Sequence, residues 1–71
     1  MADRPAKDYS VAFLLEHKAI AEQAIRGARA KMHGTGGWIA REANQEVIDR
    51  AENDINIIDA ELALRWQEQQ I

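Results

Sequence analysis

The sequence predicts an all-α protein, an antiparallel two-helix hairpin that dimerises into a four-helix bundle. Three observations predict it. Apart from Gly27, every glycine falls in Gly34-Thr35-Gly36-Gly37, a stretch that breaks helix. The segments on either side have apolar residues at helical spacing, and the only proline is Pro5. From residue 57 onward the second segment is apolar on two sides, which a single helix–helix seam does not bury.

The first helix is expected from about residue 8 to about residue 33. Asp8 is its candidate N-cap, and Arg29, Lys31 and His33 stand where cations complement the helix dipole. At about 100° per residue, Leu14, Ala21, Ala24, Ile25, Ala28 and Met32 share one face. Alanine dominates this face, so a neighbouring helix can approach closely. In the turn, residues 34–37, Gly34 suits a left-handed helix end and Thr35 suits the cap of the next helix. A turn this short makes the helices antiparallel neighbours.

The second helix is expected from about residue 38 to about residue 69. Its seam stripe is Ala40, Val47, Ile48, Ala51, Ile55, Ile58, Leu62 and Trp66, with Asn44 as a polar member suited to fixing register. Glu22 with Arg26, Glu46 with Arg50 and Glu61 with Arg65 are spaced for ion pairs along the helices. Ile57, Leu64 and Ile71 recur at intervals of seven on the other side of the helix. They lie at the end away from the loop, where Phe13 and Leu15 spread around the first helix. Phe13, Leu15, Ile57, Leu64 and Ile71 are therefore the expected oligomer interface. Residues 1–7 are expected as a flexible tail, which can also fold back over the overhanging end of the second helix, and residues 8–71 as one domain.

Seventy-one residues sit at the low end for a self-sufficient core, and the absence of cysteine removes disulfide staples, thiol catalysis and cysteine-ligated zinc. No apolar run approaches the roughly 20 residues that cross a bilayer, and the first eight residues lack a signal-peptide core. The expectation is a cytoplasmic protein without a membrane partner. A net charge of −3 argues against nucleic acid as partner.

The loop end is the candidate partner or anion surface. Arg26, Arg29, Lys31 and His33 gather there with Thr35, Gly36, Gly37 and Trp38, and backbone N–H groups at a helix start can hold a phosphate or carboxylate. No strand precedes the loop and no Gly-Lys-Ser/Thr follows it, so it is no P-loop. His17 falls on the apolar face of the first helix, where a lone histidine reads as a packed core residue. Two histidines do not make a structural zinc site, and no metal or cofactor is expected. The carboxylates Glu42, Glu46, Asp49, Glu52 and Asp54 read as a solvated helix face rather than a calcium loop. Trp66 reads as the end of the core stripe, packed against the N-terminal segment. Trp38 lies off the stripe, stapling the loop or, if exposed, serving as a hot spot.

The layout of a short chain, two helices and one brief turn resembles the plasmid RNA-binding Rop proteins in architecture. The basic, phosphate-facing surface that RNA binding would require is not evident in this acidic chain. The expected function is a non-enzymatic interaction module that associates with itself and docks on a larger protein as an adaptor or inhibitor, as small accessory proteins of phages and mobile elements do. The alternative is an oligomeric binder of an anionic ligand, such as a nucleotide, at the loop end. A nucleic-acid-binding bundle ranks third.

Overall fold

A computed structural model of the chain describes residues 4–33 and 37–70. The chain is all-helical there, with α1 at Val11–Met32 and α2 at Gly37–Gln70 packed against each other as a hairpin, and a 3-10 turn at Ala6–Asp8 before them. Gly34, Thr35, Gly36 and Ile71, with the turn and cap roles expected of the first two, lie outside the described residues.

α1 is capped by Ser10, whose hydroxyl accepts a hydrogen bond from the Phe13 N–H at 3.1 Å. Asp8 is therefore not the cap, and the helix starts later than expected. The preceding residues are held otherwise. Asp8 N–H donates to the Pro5 carbonyl at 3.0 Å, and Tyr9 N–H to the Ala6 carbonyl at 3.2 Å. Arg65 Nη2 then donates to the carbonyls of Ala6 (3.2 Å), Lys7 (3.3 Å) and Tyr9. Those carbonyls are the acceptors an earlier helix start would have needed, so the guanidinium holds the chain in a turn and α1 opens after it.

α2 has 34 residues, which at about 1.5 Å each reach about 51 Å. This matches the 51 Å long dimension of the molecule. α1, with 22 residues, covers roughly 33 Å of that length. α2 thus overhangs the start of α1, and the 3-10 turn packs on the overhang. At the loop end Gly37 opens α2 with φ +66°, a left-handed conformation that glycine adopts without a Cβ penalty.

The seam is narrow. Leu14 and Ile58 are fully buried at one end, and Ala21, Ile25, Ala28, Ile48 and Ala51 form a cluster further along, with Met32 and Ile55 packed against it. Three of these seven buried residues are alanines, which lets the backbones approach but contributes little apolar area. Several expected seam residues are not buried. Ala24 is exposed, Val47 is 43% exposed, and Ala40, Asn44 and Leu62 are half-buried. Two cylinders touch along one line, so only the central row of each stripe is covered.

Trp66 is 63% exposed. It lies beyond the start of α1, and the N-terminal segment crosses α2 on the side of Ile57, Glu61 and Leu64 instead. Asn44 does not bridge the seam; its amide donates to the Ala40 carbonyl of its own helix at 2.8 Å. Among the described residues, no helix is long and apolar enough to cross a membrane.

Candidate interaction surfaces

The two long edges of the hairpin differ in chemistry. Along one edge the helices are joined by charge: Lys18 Nζ lies 2.6 Å from Asp59 Oδ1, and Arg29 Nη2 lies 3.7 Å from Glu52 Oε1. Lys18 and Arg29 are eleven residues apart, close to three full turns, and Asp59 and Glu52 are seven apart, so both pairs fall on the same side. The hydrogen bond to Asp59 holds the Lys18 ammonium above its ordinary pKa, and the charges of Asp59 and Glu22 add to it against partial desolvation. Leu15, 52% exposed, stands on this charged side of α1, three residues before Lys18.

The other edge is apolar. Ile20, Ala24 and Val47 wall a groove of about 240 Å³, with His17, Arg50 and Asp54 at its rim. Ile20 is 56% exposed. His17 is not a core residue. It is half-exposed, its Nε2 lies 3.7 Å from Asp54 Oδ2, and its ring stacks on Phe13 with centroids 5.9 Å apart. Phe13 in turn stacks on Tyr9 at 4.4 Å.

The loop-distal end is partly covered. Pro5, Ala6 and Lys7 face Ile57, Ala60 and Leu64 across a shallow pocket of about 390 Å³. The cover is incomplete, since Ile57 stays 41% and Leu64 51% exposed. The five expected interface residues are thus dispersed. Phe13 belongs to the apolar edge, Leu15 to the charged edge, Ile57 to the end of the apolar edge where the N-terminal segment adjoins it, Leu64 to the ground beside that segment, and Ile71 lies outside the described residues.

At the loop end, an open cleft of about 560 Å³ is lined by Arg29, Met32, His33, Arg41, Gln45, Ile48 and Glu52. Arg29 and His33 were expected there; Arg26 and Lys31 are exposed on α1 but do not line it. Thr35 and Gly36 lie outside the described residues, and Gly37 forms the first turn of α2. Arg41 was missed by sequence reasoning, although it stands near Arg29 and His33 once the hairpin closes. Glu52 brings a carboxylate into the same cleft and pairs with Arg29, which reduces the positive field there. Trp38, 69% exposed, shares a side of α2 with Arg41 and Gln45, three and seven residues on. Ile39, 66% exposed, was also missed; it lines a shallow outer groove of α2 with Glu42, Gln45 and Glu46.

Comparison with protein families, with curated proteins and with solved structures finds no match to this chain.

Proposed function

We propose that this chain is a small non-enzymatic interaction module, which associates with itself along the apolar edge and docks on a larger protein through its loop end, as an adaptor or inhibitor. The observation that carries the reading is the imbalance between what the hairpin buries and what it leaves out. Four large apolar side chains are buried, Leu14, Ile25, Ile48 and Ile58. Against them, Val11, Phe13, Ile20, Val47, Ile57 and Leu64 remain between 41 and 56% exposed, and Trp38 and Trp66 still more. Where such residues adjoin, as Phe13, Ile20 and Val47 do along the apolar edge, the patch marks an interaction site. The clefts lie open along helix faces, which suits docking rather than enclosure of a substrate.

Trp38 with Arg41 supplies the docking chemistry, since tryptophan and arginine dominate interface hot spots. A photo-crosslinking residue at Gln45, beside Trp38 on the same side of α2, tests it in the cells that make the protein, with Gln23 on the outer side of α1 as control. The expected result is one defined adduct from position 45, none from position 23, and loss of the adduct in Trp38→Ala. Equal labelling from both positions overturns the docking assignment. An adduct that survives Trp38→Ala but is lost in Arg41→Ala moves recognition into the cleft and favours an anionic ligand group.

A further inference from the structure

On the apolar edge, positions seven residues apart line up: Phe13, Ile20 and Gly27 on α1, and Ala43, Arg50 and Ile57 on α2, with Val47 and Asp54 beside them. Gly27 is the informative one. A glycine inside a helix costs about 1 kcal/mol relative to alanine. Gly27 has no positive φ, and a Cβ added there would meet nothing within 4 Å. Neither its backbone nor its own chain's packing calls for glycine. A neighbour approaching closely from outside would.

We propose, resting on the self-association read above, that a second copy of this chain seats on the apolar edge about a two-fold axis. The axis crosses α1 at Ile20 and α2 midway between Arg50 and Asp54. The groove sets His17–Ala24 alongside Val47–Asp54, so the two crossing points stand at the same height in the hairpin. Each helix then runs antiparallel to its own copy. Ile20 meets the partner's Ile20. Phe13, seven residues before it, meets the partner's Gly27, seven residues after, and the ring lies where a Cβ would stand. On α2, Val47 meets the partner's Ile57, each five residues from the midpoint. Arg50 reaches the partner's Asp54, and the reverse pair forms by symmetry. Asp54 is also engaged within its own chain, with His17 among its contacts, and the partner's Arg50 joins that cluster.

The register is selective. Moving the axis by one helical turn toward the start of α2 would set Arg50 against the partner's Val47 and Asp54 against the partner's Ala43. Moving it one turn the other way would give Arg50 the partner's Glu61 and Val47 the partner's Leu64. Either shift separates Phe13 from the partner's Gly27, which is what selects the register. The same two-fold brings the partner's Ile39 to the level of Arg65, beside the apolar pocket between Pro5 and Leu64, which accounts for an isoleucine left 66% exposed. The hairpin is 21 Å wide. Over the roughly 30 Å that both helices share, the projected face is roughly 600 Å². Accessible area exceeds projection, so the contact approaches the ~800 Å² per partner typical of stable complexes. The opposite edge exposes Val11 and Leu15, but there Lys18–Asp59 and Arg29–Glu52 bridge the two helices.

Sedimentation velocity tests this with two variants. Arg50→Asp leaves both positions acidic and Asp54→Arg leaves both basic, so each alone is expected to lose self-association by roughly tenfold or more. An equal mixture is expected to recover it, as a dimer of one copy of each. A wild-type monomer would overturn self-association itself. A dimeric wild type whose two variants also dimerise alone, or whose mixture fails to recover, overturns this interface while leaving self-association through another face. Because the chain has no cysteine, a second variant reads the axis without disturbing charge. Ile20→Cys is expected to oxidise rapidly to a covalent dimer and Leu15→Cys to do so slowly; equal rates would also overturn the axis.

Discussion

Arg65 joins the two ends of the sequence, and replacing it with methionine isolates what the polar head contributes, because the apolar stem is kept. The side chain is mostly buried, at 22% exposed, and its Nε donates to Glu61 Oε1 at 3.0 Å while Nη2 serves three backbone carbonyls. The pair along the helix is worth about 0.3–0.5 kcal/mol. Hydrogen bonds from a charged donor are worth about 1.5–3 kcal/mol when their loss leaves a buried group unsatisfied. These carbonyls lie on a surface segment and can turn to water, so the larger figure does not apply to each. About 1–2 kcal/mol in total is the expected loss. In a domain of this size that lowers the melting temperature by about 4–16 °C.

The location of the loss is more specific than its size. Hydrogen exchange on Arg65→Met is expected to speed up at the Asp8 and Tyr9 amides, whose acceptors are Pro5 and Ala6, while the amides of Ile25 and Ile48 keep their protection. Arg65→Lys should fall between, since an ammonium lacks the planar fork that reaches several carbonyls at once. Unchanged exchange at Asp8 and Tyr9 in Arg65→Met would refute the reasoning, because Pro5 and the two turn hydrogen bonds would then hold the segment without the guanidinium.

Two further substitutions separate the hairpin from its assembly. Gly27→Ala should raise the stability of a lone hairpin by about 0.5–1 kcal/mol through helix propensity alone, but weaken the dimer by about 1–3 kcal/mol if the partner's Phe13 occupies that space; thermal melts at low and high protein concentration give the sign in each regime. Ile58→Ala empties a fully buried site and should cost about 2–5 kcal/mol, enough that circular dichroism finds folding dependent on protein concentration, whereas full helicity in dilute solution would show a core less critical than its burial suggests.

The hairpin was legible because its signals are periodic and local. Leu14, Ala21, Ile25, Ala28, Ile48, Ala51 and Ile58 all belong to the stripes read from the sequence, and all are buried. The misses have a common physical cause. Arg65 was visible only as the partner of Glu61, because a long side chain reaching backbone carbonyls at Ala6, Lys7 and Tyr9 leaves no periodic trace. Lys18–Asp59 was missed for the same reason, since 41 residues separate its members. Asn44 reads as a seam residue at helical spacing, yet its amide finds the Ala40 carbonyl, the nearest acceptor in its own helix.

The stripes themselves were wider than the seam that forms, and the excess is not noise. Ala24 and Val47 satisfy the helical period as well as their buried neighbours do, but both sit on the same edge, flanked by Phe13, Ile20 and Ile57. One helix touching another buries an arc narrower than these residues span. The other edge also leaves Val11 and Leu15 exposed, but there Lys18–Asp59 and Arg29–Glu52 bridge the two helices. An apolar arc wider than one seam is what a helix needs when it faces two neighbours rather than one. The hairpin supplies the first neighbour; in the dimer proposed above, a second layer on the apolar edge supplies the other, with its closest approach at Gly27, where an added Cβ would meet nothing of its own chain.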